Sequence, residues 1–439
     1  MPENKAEKKT GMRVLFITQA PANRSVSSGN TLLNVMENFD GVEIRGIQTR
    51  SGVPDPVMTR CFCITEQSLL RSFLKRTPSG KAFVPAEQEP PSKDSAESRI
   101  HNFAHNHRWT VLFWARAMVW HICRWRTREL REYLESYDPE IIFTPLSDIP
   151  YLNRLILHAA KLTSAKLVVF AWDNNYSAKK FMLSPLRWIK LWLDRIPMRQ
   201  VAKRADQLYV ISPGMKEEYE RAFRRPCTVL TKGGDFSAEP ALKGEYGKPL
   251  QLVYTGNIQN GRWRSLAVIA SVLERINCGG VRAQLRIYTG NIPTARMSRA
   301  LNRGESSFIM GSVPAAEVAA LQEQADLLVH VEATNLKDRL DVRQSFSTKI
   351  VDYLAASRPV LVYGPKDVAS VRHFIDNDCG LVADSPDELY GRLAEVLEDP
   401  AALDGLARRA YACGKRHHDR DGIRRMLRKD FGRLLNREL

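Results

Sequence analysis

The sequence predicts an α/β protein made of two similar halves, each built around a parallel β-sheet. Short apolar runs rich in β-branched residues recur along the chain and alternate with helical patterns of apolar residues. The length of 439 residues exceeds the usual size of one compact domain. A stretch rich in glycine and proline interrupts the pattern at residues 231–248, where we place the linker between the two domains.

The elements follow in order along both halves. A polar tail at residues 1–11, which we expect to be disordered, precedes the first domain at residues 12–230. Strands of this domain are predicted at 12–18, 42–47, 140–144, 167–171, 208–212 and 228–230. Strands of the second half are predicted at 250–255, 284–289, 308–313, 326–331 and 359–364. Prolines and charges at residues 77–107 predict an exposed, partly disordered insertion.

Composition limits the partners and the compartment. The chain has 65 Lys and Arg against 49 Asp and Glu, a net charge of +16, which favours nucleotide phosphates, a membrane surface or nucleic acid. Seven cysteines form no paired framework and fit a reducing compartment. The N-terminus lacks the apolar region of a signal peptide. Arg116 and Arg124 interrupt the most apolar window, so we expect no transmembrane helix and a cytoplasmic protein.

Two segments of the first half combine tryptophan with basic residues. Residues 109–137 are predicted to form one long helix because no glycine or proline interrupts them, and residues 181–204 form a second segment. Such helices pack with their arginines facing water, or lie on a membrane with indole rings at headgroup depth. Interleaved aromatic and basic side chains also stack on single-stranded nucleic acid. Two such segments in one half favour a membrane surface.

Residues 343–365, RQSFSTKIVDYLAASRPVLVYGP, give the strongest local signal for a ligand site. Ser347 and Thr348 precede an apolar-periodic segment, which predicts a loop that leads into a helix N-terminus. Free N–H groups of that turn carry partial positive charge and Lys349 adds a full charge, so we expect a diphosphate here. Asp352, one turn further, is placed to accept hydrogen bonds from ribose hydroxyls. An ordinary loop-helix-strand unit is the alternative.

The same stretch resembles the donor-site signature of retaining GT-B glycosyltransferases of the family 4 type, in which two glutamates flank a Ser-Phe-Gly loop and a helix. Gln344 and Asp352 match the glutamates, and Ser345, Phe346 and Ser347 match the loop. The resemblance implies two Rossmann-like doubly wound domains that face a central cleft. It also implies a nucleotide-sugar domain at residues 249–410 and a terminal helix at 411–439 that packs back on the N-terminal, acceptor-binding domain.

The resemblance assigns further positions in the second half. Gly256 and Asn257 follow its first strand, where the family has a glycine and a basic residue aimed at the diphosphate. Arg262 matches the second basic residue of that segment, with Arg264 as an alternative. The loop of Ser312 and Val313 matches the place where the nucleobase lies against the backbone.

Two positions in the first half complete the predicted site. Gly29 matches a glycine-rich loop that faces the donor phosphates or the acceptor, although an ordinary strand-to-helix turn fits equally well. Asp148 lies in a loop at the carboxyl end of a predicted strand, where ligands bind in open α/β sheets. In the resembled family this loop holds the residue next to the acceptor. A helix-capping or structural aspartate is the alternative.

The resemblance implies a transferase that moves a sugar from a nucleotide diphosphate, of UDP or GDP type, to a hydroxyl acceptor. No metal-ligand cluster or Asp-x-Asp motif stands out in the predicted site, so we expect Lys349, Arg262 and the helix N-terminus to neutralise the leaving diphosphate without metal or other cofactor. Basic, tryptophan-rich helices favour a lipid-linked or saccharide acceptor at the inner face of the plasma membrane. Cell-surface polysaccharide or lipopolysaccharide assembly would use such an enzyme.

Two other functions stay open at this point. A nucleic-acid-binding protein would use the basic and aromatic helices, but would leave the loop at residues 345–349 without a purpose, and we expect no nucleic-acid partner. A non-catalytic homologue that acts as a scaffold is the other possibility. It arises because Gln344 and Asn257 lack the charges found at the matching positions of the family.

Overall fold

The computed structural model describes residues 11–24, 27–75, 77–87 and 110–439. Within these residues the N-terminal sheet has eight strands in the order β4-β3-β2-β1-β5-β6-β7-β8, and only the β3–β4 pairing is antiparallel. Its strands are β1 (Arg13–Thr18), β2 (Glu43–Gln48), β3 (Met58–Cys63), β4 (Lys81–Phe83), β5 (Ile141–Pro145), β6 (Lys166–Ala171), β7 (Gln207–Val210) and β8 (Thr228–Val229).

The C-terminal sheet has six strands among the described residues, all parallel, in the order β11-β10-β9-β12-β13-β14. They are β9 (Leu250–Thr255), β10 (Ala283–Tyr288), β11 (Ser307–Gly311), β12 (Leu327–Val331), β13 (Val360–Tyr363) and β14 (Leu381–Ala383). The structure thus confirms the predicted α/β class with two parallel-sheet domains.

Helices alternate with the strands in both domains. In the N-terminal domain they are α1 (Ser27–Met36), α2 (Glu66–Lys75), α3 (Thr110–Ile122), α4 (Arg128–Tyr137), α5 (Pro150–Leu162), α6 (Pro185–Arg204) and α7 (Pro213–Phe223). After the linker they are α8 (Arg262–Ile276), α9 (Ala295–Leu301), α10 (Ala315–Gln324), α11 (Leu336–Val342), α12 (Lys349–Ala355), α13 (Ala369–Asp376), α14 (Pro386–Glu398), α15 (Ala402–His418) and α16 (Arg420–Leu435). No helix of the described residues combines the length and apolarity needed to cross a bilayer.

The central strands are apolar because both faces of each sheet are covered. In β1, five of six residues are buried, as expected for a strand between two layers of helices. The N-terminal core continues into the C-terminal domain, where it includes Phe346, Val351 and Leu354. The predicted ligand-binding stretch is therefore packed at the junction of the two domains.

The end of the chain crosses between domains at Asp419. Helix α15 packs against α12 of the C-terminal domain, and Asp419 then caps α16 by accepting a 2.8 Å hydrogen bond from the Gly422 N–H. Helix α16 lies on the N-terminal domain, where Asp430 accepts a 2.9 Å hydrogen bond from the Tyr209 hydroxyl. The sequence predicted that the chain returns to the N-terminal domain at residue 411. In the structure it stays with the C-terminal domain for all of α15 and crosses only afterwards.

The prediction of one long helix at residues 109–137 is wrong. The structure has two helices, α3 and α4, because Thr127 starts a new helix by accepting a hydrogen bond from the Leu130 N–H at 3.3 Å. Trp125, in the turn between them, is buried with its ring edge against His158. Residue 109 lies outside the described residues.

The predicted insertion at residues 77–107 is ordered at its start. Residues 81–83 form β4, which extends the sheet beyond β3, and a 3₁₀ turn follows at Pro85–Glu87. Sequence reasoning missed β3 and β4, because their mixed polar and apolar residues, MTRCFC and KAF, lack a continuous apolar run. The remainder of this insertion, residues 88–107, and residues 1–10 of the predicted tail at 1–11 lie outside the described residues.

Candidate active site

Lys349 and Arg262 come together at the carboxyl ends of β9 and β12. Lys349 is the first residue of α12, and its ammonium group lies over Gly256, at the end of β9. A Cβ atom at Gly256 would be only 1.9 Å from Lys349 Nζ, and the φ of +156° there also favours glycine. Gly256 therefore makes room for Lys349 to reach across the strand end.

Arg262 is fixed by a buried carboxylate that follows β12. Its Nη2 lies 3.1 Å from Glu332 Oε2, and Ser370 Oγ donates to Glu332 Oε1 at 2.8 Å. Burial alone would raise the pKa of this carboxyl, but His330 and Arg262 outweigh it and lower the pKa to about 2. Glu332 is thus charged at neutral pH and holds Arg262 in place.

Sequence reasoning missed Glu332, because a single glutamate after a buried strand matches no motif. The signal available was its place at the carboxyl end of a parallel strand, the edge where ligands bind in such sheets. His330, in β12, is buried with its Nε2 3.3 Å from Glu332 Oε1.

Lys349 has no ion pair of its own in the part of the chain that the structure describes. Burial and the charge of Arg262 lower the pKa of its ammonium group to about 8. Two cations thus share one carboxylate, and the site has an excess of positive charge whenever Lys349 is protonated. An anion bound between Lys349 and Arg262 would relieve this repulsion.

The structure separates Thr348 from this pair of cations. Its side chain is exposed and lines a cavity of about 40 Å³ together with Thr31 of α1 and Lys232 and Gly233 of the linker. Among the described residues, no hydrogen bond or ion pair joins Thr348 to Arg262. Within the predicted stretch it is therefore Lys349, rather than Thr348, that faces Arg262.

Asp352 also faces the linker. It forms an ion pair with Lys232, and its side chain is about two-fifths exposed. Ser345 donates its backbone N–H to the Val342 carbonyl at 2.9 Å, and the Ser347 carbonyl accepts from the Ile350 N–H at 3.1 Å. These residues shape the loop that leads into α12.

Gln344 is buried at the interface between the domains. Its side-chain Nε2 donates to Glu218 Oε2 on α7 at 3.4 Å, and its backbone carbonyl accepts from Ser212 Oγ at 2.7 Å. Burial opposes the charge of Glu218, but hydrogen bonds from Ser177 and Arg343 lower the pKa of its carboxyl. A glutamate at position 344 would set two carboxylates against each other, which gives a physical reason for the amide.

Asn257 follows β9, and the loop of Ser312 and Val313 follows β11, with β10 between these two strands. The Asn257 Oδ1 accepts from the Gln259 N–H at 2.6 Å, and its carbonyl accepts from the Tyr254 hydroxyl at 2.6 Å, so it shapes the turn before α8. Ser312 and Val313 follow β11, and Ser312 is exposed beside Gly290, at the end of β10. This placement leaves the backbone of the loop accessible.

Arg264, the alternative to Arg262, has a different environment. Its guanidinium group is exposed and stacks over the Trp263 ring, 4.8 Å from the ring centre. Arg262 alone of these two arginines contacts Glu332 in the described structure.

Asp148 lies in a separate crevice of the N-terminal domain. A cavity of about 200 Å³ opens where β1, β5 and β6 end, and Asp148, Ser147 and Asp173 line it. Solvent reaches Asp173, yet desolvation in the crevice and the charge of Asp148 raise the pKa of the Asp173 carboxyl. Gly29 is buried, and a Cβ there would lie 2.4 Å from the Asn23 backbone nitrogen, so it permits close packing of α1 on the preceding loop.

Comparison with known proteins finds similar solved structures but no similar sequence. No protein-family model matches the chain, and no curated protein matches it in sequence. Sucrose-phosphate synthase from Thermosynechococcus elongatus matches with a TM-score of 0.62 and 13% identity, over 97% of this chain and 99% of that one. Anabaena HepE, in complex with UDP, matches with a TM-score of 0.61 and 13% identity, over 96% and 100%.

A third similar structure is WaaG, a glycosyltransferase involved in lipopolysaccharide biosynthesis, with a TM-score of 0.56 and 13% identity, over 96% of this chain and 100% of that one. At this level of identity the likeness establishes the fold. The two parallel-sheet domains match those of GT-B glycosyltransferases, as the sequence predicted.

The contact between Gln344 and Glu218 yields a prediction about stability. We expect Gln344→Glu to lower the free energy of unfolding at neutral pH, because two carboxylates would then share one buried position. In the double variant with Glu218→Gln the loss should be recovered, with a coupling of about 0.5–3 kcal/mol. Chemical denaturation of the four proteins of the cycle measures this coupling. Additive effects of the two substitutions would contradict it.

Lys349 yields a second prediction, about pH. Its pKa is lowered from 10.5 to about 8, so the folded protein disfavours the charged form that the unfolded chain prefers. This cost is complete below pH 8 and disappears as the pH rises towards 10.5. We therefore expect Lys349→Met to raise Tm below pH 8 and to lose that advantage as the pH rises above 8. Thermal unfolding across this range tests it, and a lower Tm for Lys349→Met at pH 7 would refute it.

Proposed function

We propose that the protein is a retaining glycosyltransferase that moves a sugar from a nucleotide diphosphate to a hydroxyl acceptor. The observation that supports this most directly is the pair of cations, Lys349 and Arg262, held beside one buried carboxylate at the strand ends of a GT-B fold. A site where two cations share one carboxylate fits a leaving diphosphate better than it fits a neutral ligand.

In this proposal the diphosphate lies against Lys349 and Arg262. When the bond between the anomeric carbon and the phosphate oxygen breaks, negative charge develops on the leaving group, and the two cations stabilise it. Glu332 keeps Arg262 in position but competes little for the ligand, since Ser370 and His330 engage its other oxygen. The site requires no metal, because protein cations supply the neutralising charge.

The acceptor binds on the opposite side, in the crevice lined by Asp148. Holding the acceptor hydroxyl beside the sugar supplies a large part of the rate, because it makes the step effectively intramolecular. For retention of configuration, the leaving phosphate itself takes the acceptor proton, so Asp148 orients the hydroxyl rather than removing its proton. The half-buried Asp148, at a cavity of about 200 Å³, supports this placement.

A UDP-sugar is the donor that the comparisons support best. HepE was solved in complex with UDP-glucose, and its fold matches this chain over 96% of its length. The nucleobase would lie on the exposed loop of Ser312 and Val313, and its ribose towards Asp352. A GDP-sugar is the second candidate for the same site.

An anionic membrane surface is the proposed location, with a lipid-linked acceptor. Helices α3 and α6 both pack against α5, and each turns large apolar side chains to solvent. Leu183, just before α6, is 87% exposed and Met118 on α3 is 63% exposed. Exposed apolar residues of this surface also include Trp114, Ile122, Phe181, Leu186, Ile189, Trp192, Leu193 and Ile196.

Basic residues accompany these apolar ones. Arg187 and Arg199 on α6, and Arg124 and Arg126 after α3, are exposed. A peripheral membrane protein typically inserts apolar side chains into the headgroup region and binds anionic lipid with basic side chains, which is the combination found on this surface. We therefore propose that the enzyme acts at the inner face of the plasma membrane, in cell-surface polysaccharide or lipopolysaccharide assembly. WaaG, one of the similar structures, is involved in lipopolysaccharide biosynthesis.

Turnover of nucleotide-sugars tests the donor site. Lys349→Ala and Arg262→Ala should each lower kcat by about 100-fold to 1,000-fold, because each removes a group that stabilises the developing charge. Arg264→Ala is the matched control and should leave turnover unchanged. A thermal-shift series with UDP, GDP and their sugars identifies the donor first. Unchanged turnover in Lys349→Ala would disprove the diphosphate site, whereas binding without turnover would favour a non-catalytic scaffold.

Vesicle sedimentation tests the membrane surface. The protein should bind phosphatidylglycerol-containing vesicles, more weakly at high salt, and Ile196→Glu should abolish this binding by placing a charge on the apolar face. Ile292→Glu is the control, since Ile292 is 95% exposed and belongs to the C-terminal domain, whereas α6 belongs to the N-terminal domain. Equal binding by both variants would contradict the assignment. Binding to single-stranded nucleic acid that Ile196→Glu removes would favour the alternative function.

A further inference from the structure

Three potential metal ligands meet at the edge of the C-terminal domain, outside the site described above. The ligand atoms of His373, Cys379 and Cys413 all lie within 4.8 Å of one another. His373 is on α13, Cys379 follows in the turn before β14, and Cys413 is on α15. Both cysteines are buried, so their thiols face this cluster rather than solvent.

His418, the last residue of α15, provides a fourth group. Its Nε2 lies 3.3 Å from His373 Nε2, and that same His373 atom lies 3.4 Å from Cys413 Sγ. Ligands of a tetrahedral zinc ion would be about 3.3 Å apart for two nitrogens and about 3.5 Å apart for nitrogen and sulfur, given the usual bond lengths. Both observed separations agree with that geometry.

The surroundings orient these groups as ligands. His418 is buried, and its other ring nitrogen, Nδ1, lies 2.9 Å from Thr231 Oγ1, a hydrogen bond that leaves Nε2 directed at His373. Bonding of the second ring nitrogen is usual for metal-bound histidines.

We propose that Cys379, Cys413, His373 and His418 form a structural site for a divalent cation of the zinc class. On binding, each thiol releases its proton to solvent and forms one metal–sulfur bond, while the two imidazoles bind as neutral ligands through Nε2. Two thiolates and two imidazoles are a ligand set that selects zinc over magnesium or calcium. The site is distinct from the cation pair that holds the donor, and its proposal does not depend on the transferase activity.

At this position a bound metal would hold two neighbouring segments of the chain in place. The Phe346 ring packs against both histidines, with ring centres 5.2 Å from His373 and 5.5 Å from His418. The His418 carbonyl also accepts a 2.8 Å hydrogen bond from the Gly234 N–H of the linker. A bound metal would therefore fix the loop at residues 345–348 and the linker to the same anchor.

Cobalt titration of the full-length reduced protein tests the site, because tetrahedral Co²⁺ with thiolate ligands gives intense charge-transfer and ligand-field absorption. We expect one Co²⁺ per chain, displaced by Zn²⁺. Cys413→Ser should lose the thiolate band or weaken it markedly, and His418→Ala should alter the ligand-field bands. Thr231→Val, which removes only the supporting hydrogen bond, should weaken binding by about 10-fold to 100-fold.

Two residues outside the ligand set serve as matched controls. Cys278 is exposed, and exposed His417 bonds to Asn377 through Nε2 at 2.9 Å, so Cys278→Ser and His417→Ala should keep the cobalt spectrum. The proposal fails if the parent protein gives no such spectrum, if Cys413→Ser retains it, or if mass spectrometry shows a Cys379–Cys413 disulfide under reducing conditions. Should a ligand variant not fold, a rise in the Tm of the parent protein with Zn²⁺, reversed by a chelator and absent with Mg²⁺, supports the site, and no rise refutes it.

Discussion

The ion pair between Arg262 and Glu332 determines the electrostatics of the candidate active site. A buried carboxylate without a partner would be costly, and a buried guanidinium equally so, which is why the two side chains stay together. Lys349 adds a second cation and forms no ion pair of its own among the described residues, and Asp352, the next carboxylate that acts on it, is paired with Lys232. The site therefore has an excess of positive charge where β9 and β12 end. Such a site is under electrostatic strain until an anion arrives, a condition typical of functional sites rather than of structural ion pairs.

The sequence predicted the fold, and it named Lys349 and Arg262, two residues that the structure brings together at the candidate site. Continuous apolar runs predicted the central strands because these are buried on both faces, and the start of α12 at Lys349 follows the predicted helix N-terminus. Which side chain of that helix faces Arg262 was not predictable. Successive helical residues are about 100° apart, so Lys349 turns to the strand ends while Thr348 turns to the linker.

Contacts between distant segments explain what the sequence could not show. Glu332 can hold Arg262 only because the fold brings Arg262 and Ser370 to it. Gln344 can contact Glu218 only because the fold brings the two domains together. The tryptophan residues alone could not show which helix faces meet solvent, since Trp120 and Trp125 are buried whereas Trp114 and Trp192 are exposed. The four proposed metal ligands come from two segments about forty residues apart, a spacing that matches no short motif.

The junction between the domains connects all of these features. Lys232 of the linker pairs with Asp352, and Gly234 bonds to His418, so the linker is held to the segment that carries Lys349 and to the histidine at the crossover of the chain. Any rotation of one domain on the other must therefore strain contacts that also position Lys349 and Phe346. In the proposed transferase the donor binds one domain and the acceptor binds the other, so the contacts that shape the loop at residues 345–348 would also set how closely these two substrates approach.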